Sequence, residues 1–326
     1  CAGGMITAGI SYHYEIIHPK TRGMVYLVVP SLVSFGILTS GLLSLDCIIK
    51  DNWCLTQIPL TIILIILVLI LHKLPESPVF VFQQTRDLHM TRKNLLFFRN
   101  GNFSQATNEF EKIQNAEEQR TMSYKPFLGR FFSTKAIIGP IIVSTLLALF
   151  QQFSGVYVFL FYTSHFTKMV SFDKVDIGNL IIYLMGFLGS IIFPLMIHKV
   201  GLKIMFVVGF FGMSISLFSI YALTYLYNVA LLKILLIGSF LFWFQAGPCL
   251  TIWIIFNKVF PQKYQQTSQT YLSFLFWIFN YLIIALFLSV LSVLGMNLIL
   301  IIAIMNTIFA VVVFIFFVDP KERKTH

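Results

Sequence analysis

The amino-acid sequence predicts an all-α, polytopic membrane protein, and three observations carry that expectation. Of its 326 residues 57% are hydrophobic and only 11% charged, with a mean hydropathy of +0.84. Soluble domains of this size need far more charge to cover their surface. The uncharged residues gather into runs of roughly 20 or more, the length that crosses a ~30 Å hydrocarbon core at ~1.5 Å per helical residue. The Lys and Arg residues fall between those runs, and mostly between alternate pairs of them.

The chain opens on Cys1, with neither an initiator Met nor a basic-then-apolar signal segment. Residues 1–14 are apolar but too short to cross alone, and are expected to be the tail of a span whose start is missing. Uncharged runs follow at 24–45, 52–71, 136–164, 178–197, 204–232 and 234–257. The last run, 264–318, has 55 residues and is too long for one span. It divides at Leu294-Gly295-Met296-Asn297, which makes eight complete spans.

The loops assign the sides. One alternate set (17–23, 73–135, 198–203, 258–263 and 319–326) carries 19 Lys and Arg, the other only 4. Positive charge stays inside, so the 73–135 loop and the C-terminus are expected in the cytoplasm, the plasma membrane being the expected site. Within that loop, Leu95, Leu96, Phe110 and Ile113 recur at helical spacing and predict short amphipathic helices under the membrane. A solvated linker fits the same composition. Asn102-Phe103-Ser104 is a glycosylation sequon in this loop, and the orientation predicts that it stays unmodified. Cys47 and Cys54 fall in one outside loop, where a disulfide is permitted and free thiols fit equally.

The net charge is +10. It sits in short loops, without a basic helix or an aromatic-interleaved groove, which argues against nucleic acid as a partner. No metal-ligand spacing, phosphate loop or Ser/His/Asp set is present, so the expectation is no enzyme and no cofactor. The lipid bilayer is the expected surrounding, and oligomeric state is not readable.

Several interruptions exceed what plain anchoring helices need. Pro75-Glu76-Ser77-Pro78 stops one span and leaves a carboxylate at its end. Gln151-Gln152-Phe153-Ser154-Gly155 puts two amides inside an apolar helix, where an unbonded amide costs several kcal/mol. Such amides face a partner helix or a wet cavity. Gln245-Ala246-Gly247-Pro248, followed by Trp253, lets a third span bend, which is tolerable only against protein or water. Trp277 and Asn280 lie three apart on one helical face. Each has a plainer reading as helix–helix glue, a packing kink or an interfacial Trp. Convergence near mid-span in different helices favours function.

These motifs resemble those of sugar porters in the major facilitator superfamily. Glu15-Ile16-Ile17-His18-Pro19-Lys20-Thr21-Arg22-Gly23 resembles the Glu…Arg-Gly motif after the family's fourth span, and Pro75–Pro78 the Pro-Glu-Ser-Pro-Arg after the sixth. Gln151–Gly155 is similar to Gln-Gln-Leu-Ser-Gly in the seventh, and Gly247-Pro248…Trp253 to Gly-Pro-Gly-Pro-Ile-Pro-Trp in the tenth. The resemblance implies a major facilitator fold lacking its first three transmembrane helices, with a flavour of the insect trehalose facilitators. It divides the chain into the remainder of an N-terminal bundle (1–72), a cytoplasmic linker (73–135), a C-terminal six-helix bundle (136–318) and a tail (319–326). It makes Gln151, Gln152, Gln245, Trp253 and Asn280 sugar-facing candidates, and Glu15, Arg22, Glu76, Gly201 and Lys258 parts of the cytoplasmic gate.

The chain departs from the pattern at identifiable places. Tyr157, Pro30 and Gly186 stand where the family has sugar-facing amides, and Gln245 where the glucose facilitators have Glu. His198-Lys199-Val200-Gly201-Leu202-Lys203 replaces Asp-Arg-x-Gly-Arg-Arg. Lys258 stands for Glu, Gln265 and Val79 for Arg, and Asp319-Pro320-Lys321-Glu322 for Pro-Glu-Thr. With Lys258 set against Lys199 and Lys203, a latch becomes a repulsion, which predicts a bias toward the inward-open state. Two functions are therefore expected: facilitated transport of a neutral sugar such as a hexose or trehalose by alternating access, or a transport-inactive relative serving as sensor, scaffold or decayed gene product. No complete span contains Asp or Glu, which favours uniport over proton coupling.

Overall fold

In hydrocarbon no water satisfies a backbone N–H or C=O, so an uncharged run must hydrogen-bond within itself. The computed structural model of the chain describes residues 9, 12, 13, 15–18, 22–45, 57–121, 135–226, 229–249, 251, 260 and 265–316. Every uncharged run is helical where it is described. The helices are α1 (Arg22–Leu43), α2 (Gln57–Lys73), α3 (Pro78–Thr85), α4 (Leu88–Phe98), α5 (Phe103–Thr121), α6 (Lys135–Phe153), α7 (Val156–Phe161), α8 (Thr163–Met169), α9 (Val175–Val200), α10 (Leu202–Leu226), α11 (Ala230–Ala246), α12 (Gln265–Leu294) and α13 (Asn297–Phe316).

Among the described residues, Ile137–Phe161, Val175–Ile197, Leu202–Leu226, Thr270–Leu294 and Asn297–Ile315 are each long and apolar enough to cross a membrane. The α2–α3 pair passes the same test but bends by 55° between its halves, at the Pro75–Pro78 stop. The 264–318 run does part at Gly295, whose φ of +55° suits glycine. Two runs are less simple than expected. The 136–164 run breaks at Gly155 and again at Tyr162, because its polar stretch interrupts the ladder. Lys233 lies in the first turn of α11 and is only 5% exposed, rather than in the loop to which the charge pattern assigned it.

The core is aromatic and close-packed. α9 runs along both α1 and α11, α10 lies between α11 and α13, and α12 runs against α6. Phe159 stacks on Phe166 at 4.1 Å between ring centres and meets Phe240 at 4.8 Å. α10 approaches α11 closely because Gly212 faces the Trp243 indole, where an added Cβ would come within 2.3 Å of the ring. Helix α2, by contrast, buries none of its residues and presents apolar side chains all round.

Between Pro78 and Thr121 the chain forms three helices. α3, α4 and α5 close around Phe82, Leu95, Ala106 and Phe110, with Leu96 and Ile113 at the margin. Asp87 caps α4 by accepting from the His89 and Met90 amides. Arg99 ties this unit to the start of the chain. Its guanidinium clasps the Glu109 carboxylate, with Nη2 at 2.6 Å from Oε2, and Nη1 donates to the Ile16 carbonyl at 2.8 Å.

Candidate functional site

Gln151 and Gln152 occupy the last turn of α6, just before the helix breaks. Gly155 makes the break, with φ at +84°. A Cβ there would lie 2.9 Å from Ile302 Cγ2 on α13, so both backbone and space demand glycine. The break leaves carbonyls without a partner in their own helix. Asn306, fully buried on α13, supplies one: its Nδ2 donates to Ser154 O at 3.1 Å and to Ile302 O at 2.9 Å.

The amides meet across helices. Asn280 on α12 donates from Nδ2 to Gln152 Oε1 at 3.3 Å, and both residues are buried. Gln151 is 0% exposed, and neither of its amide atoms finds a partner among the described residues. Gln152 Nε2, Ser144 Oγ and Asn306 Oδ1 are also unpartnered there. Folded proteins keep few such atoms, and those they keep ask for water, an ion or a ligand. Tyr157, two residues beyond the break, is boxed edge-on by Phe276 and Phe244, at 5.5 and 6.3 Å between ring centres. Trp277 does not share the inward face of Asn280: it is 37% exposed against 5%. Three residues on a helix leave a 60° offset, enough to turn a large ring outward.

Gln245 lies elsewhere. It lines a small open cleft with Ser34 and Ile37 from α1, Leu160 from α7, Tyr183, Gly186 and Phe187 from α9, and Leu241 from α11. Gln151, Gln152 and Asn280 are not on that wall. The α1–α9 seam beside it is tight. Ser31 Oγ donates to Ser190 O at 2.9 Å, Phe35 meets Phe187 at 5.7 Å, and the Tyr183 ring packs where a Cβ on Gly41 would be.

At the ends of the helices, Ser77 donates a short hydrogen bond to Glu15 Oε2, and the Glu76 carbonyl accepts from Asn94 Nδ2 at 2.9 Å. Burial pushes the Glu15 carboxyl above its usual range, partly offset by the Ser77 hydrogen bond. Gly201, with φ at +87°, turns the chain between α9 and α10. Lys203 places its ammonium 5.5 Å from the centre of the Phe314 ring. Arg22 begins α1, and only its backbone is described. Trp253, Lys258, Cys47 and Cys54 lie outside the described residues.

Sequence reasoning missed Ser34, Ser144, Asn306 and the Arg99–Glu109 pair. Asn306 carried the same signal as Gln151, a lone amide in an apolar run. The serines carried none, since a hydroxyl can bond its own helix.

One family model, sugar (and other) transporter, matches residues 1–326. The chain belongs to this family. It is 22% identical over 330 residues to the facilitated glucose transporter member 2 of Rattus norvegicus, covering 98% of this chain and 62% of the relative. It is 26% identical to hexose transporter HXT14 of Saccharomyces cerevisiae, covering 94% and 60%, and 26% identical to the facilitated trehalose transporter Tret1 of Apis mellifera ligustica, covering 79% and 51%. The chain therefore spans about 62% or less of these three relatives. Its fold is similar to the inward open conformation of the xylose transporter XylE from E. coli, with a TM-score of 0.74 at 18% identity, covering 95% of this chain and 65% of that one. The chain is thus a multi-pass, all-α membrane protein with the major facilitator fold.

Proposed function

We propose that the chain carries a neutral sugar, a hexose or trehalose, across the plasma membrane by facilitated diffusion and alternating access. The observation that carries this reading is the set of buried amides, Gln151, Gln152, Gln245 and Asn280, drawn from three helices and incompletely bonded among the described residues. An amide donates and accepts at once, as a sugar hydroxyl does. No carboxylate accompanies them: among the described helices above that cross the membrane, the only acidic residue is Asp176, in the first turn of α9. A proton-coupled carrier needs an intramembrane proton site. The glucose and trehalose facilitators among the relatives support the same class of cargo.

In this reading the amides compete for the solute with water, and release follows when the cavity opens to the other side. Glu15, Arg22, Glu76, Gly201 and Lys258 belong to the cytoplasmic gate, and the 73–135 helices to the cytoplasmic face. Uptake of labelled D-glucose and trehalose in transport-null cells tests it. Saturable equilibration, unaffected by a protonophore, is the expected result. Accumulation driven by a pH gradient would overturn uniport. No uptake of either sugar at good surface expression would favour the transport-inactive reading, to which the lost charges of the gate motifs already point.

A further inference from the structure

Two unpartnered polar atoms border the same cleft from different helices. Ser34, on α1, is 3% exposed, and its Oγ has no hydrogen-bond partner among the described residues. Gln245, at the end of α11, is 8% exposed, and its Oε1 is equally without one. Both line the cleft with Tyr183 and Gly186 of α9. Many hydroxyls of the spans bond their own helix, as Thr145 does to Ile141 O and Thr163 to Phe159 O. Ser34 does not, so its hydroxyl is left over; among the buried, described serines and threonines of the spans only Ser144 on α6 shares that state.

The two atoms ask for complementary things. Gln245 Oε1 only accepts, while the Ser34 hydroxyl can donate. A solute hydroxyl has one proton to give and lone pairs to receive, so a single such group satisfies both. A carboxylate cannot donate to Gln245, and an ammonium cannot accept from Ser34. Pro30, one turn before Ser34 on the same face of α1, has no polar side chain. Gly186 leaves its part of the wall without a side chain, and a Cβ there would make only ordinary contact, 3.7 Å from Leu241.

We propose that Ser34 and Gln245 together clamp one hydroxyl of a neutral polyol, and that Ser34 is a specificity-determining residue of the transport site. This rests on the sugar reading above and deepens it. The hydroxyl they hold is the one whose removal the protein detects most strongly, because its loss leaves two buried atoms unbonded at once.

Equilibrium binding to the full chain in lipid nanodiscs, with the monodeoxy series of D-glucose and of trehalose as probes, tests this. In the wild type one deoxy position should weaken binding about 5–100-fold relative to the parent sugar. Ser34→Ala should weaken the parent about 2–10-fold and shrink the penalty at that one position, leaving the others unchanged. Ser34→Thr, which keeps the hydroxyl, should restore the wild-type pattern. An unchanged deoxy profile in Ser34→Ala, with parent binding intact, overturns the clamp alone. Wild-type protein that is monodisperse yet binds no sugar overturns the sugar reading and the clamp with it.

Discussion

Glu15 shows how a single side chain couples two distant parts of the sequence. It accepts from Ser77, 62 residues away, and burial raises its pKa. A raised pKa means that the folded state binds the proton more tightly than the unfolded chain. The stabilisation is therefore complete below about 4.5, the usual carboxylate value, and is lost as pH climbs through the raised value. Hydrogen exchange in Pro78–Thr85 should accordingly quicken, beyond its intrinsic pH dependence, as the medium goes from acid to neutral. Glu15→Gln should remove that extra slope, and a slope that persisted in the variant would assign it to another group. At this scale the amides were legible because burying them is costly, so their presence in an apolar run is informative. Ser34 was not, because only the surroundings reveal that its hydroxyl is unspent.

At the scale of elements, the interruption between α6 and α7 is held from outside. Gly155 permits the left-handed turn, and Asn306 on α13 bonds the carbonyl it frees. Asn306→Leu should lower stability by about 0.6–2 kcal/mol, the range for hydrogen bonds between membrane helices, read as a loss in reversible unfolding in mixed micelles. An unaffected midpoint would mean that water or backbone takes over. The break at 295 was readable, since that run was too long for one span and glycine tolerates positive φ; the break at 155 was not, because 136–164 has the length and polarity of a single span. Which way Trp277 turns was not readable, because a three-residue spacing leaves both an inward and a boundary position open. The Arg99–Glu109 pair was equally hidden, since charges ten residues apart meet only once α4 and α5 have folded over each other.

For the whole molecule, the charge asymmetry of the loops sets an expected orientation. In that orientation the helices between Pro78 and Thr121 would lie on the cytoplasmic side, and Asn102 would not meet the glycosylation machinery. The folded chain also uses its side chain locally: Oδ1 accepts from the Gln105 amide at 3.2 Å and starts α5. A glycosidase digest of protein expressed in animal cells should leave its mobility unchanged, and a downward shift abolished by Asn102→Gln would reverse the orientation.

The sequence by itself determined the solvent, the helical class and the family. Those properties depend on length, polarity and local motif, which are additive along a chain. Tertiary structure alone decided that Gln152 meets Asn280, and that Gln245 from α11 and Ser34 from α1 line one cleft. Hydrogen-bond pairing between helices depends on their rotation and separation, and side-chain packing sets both.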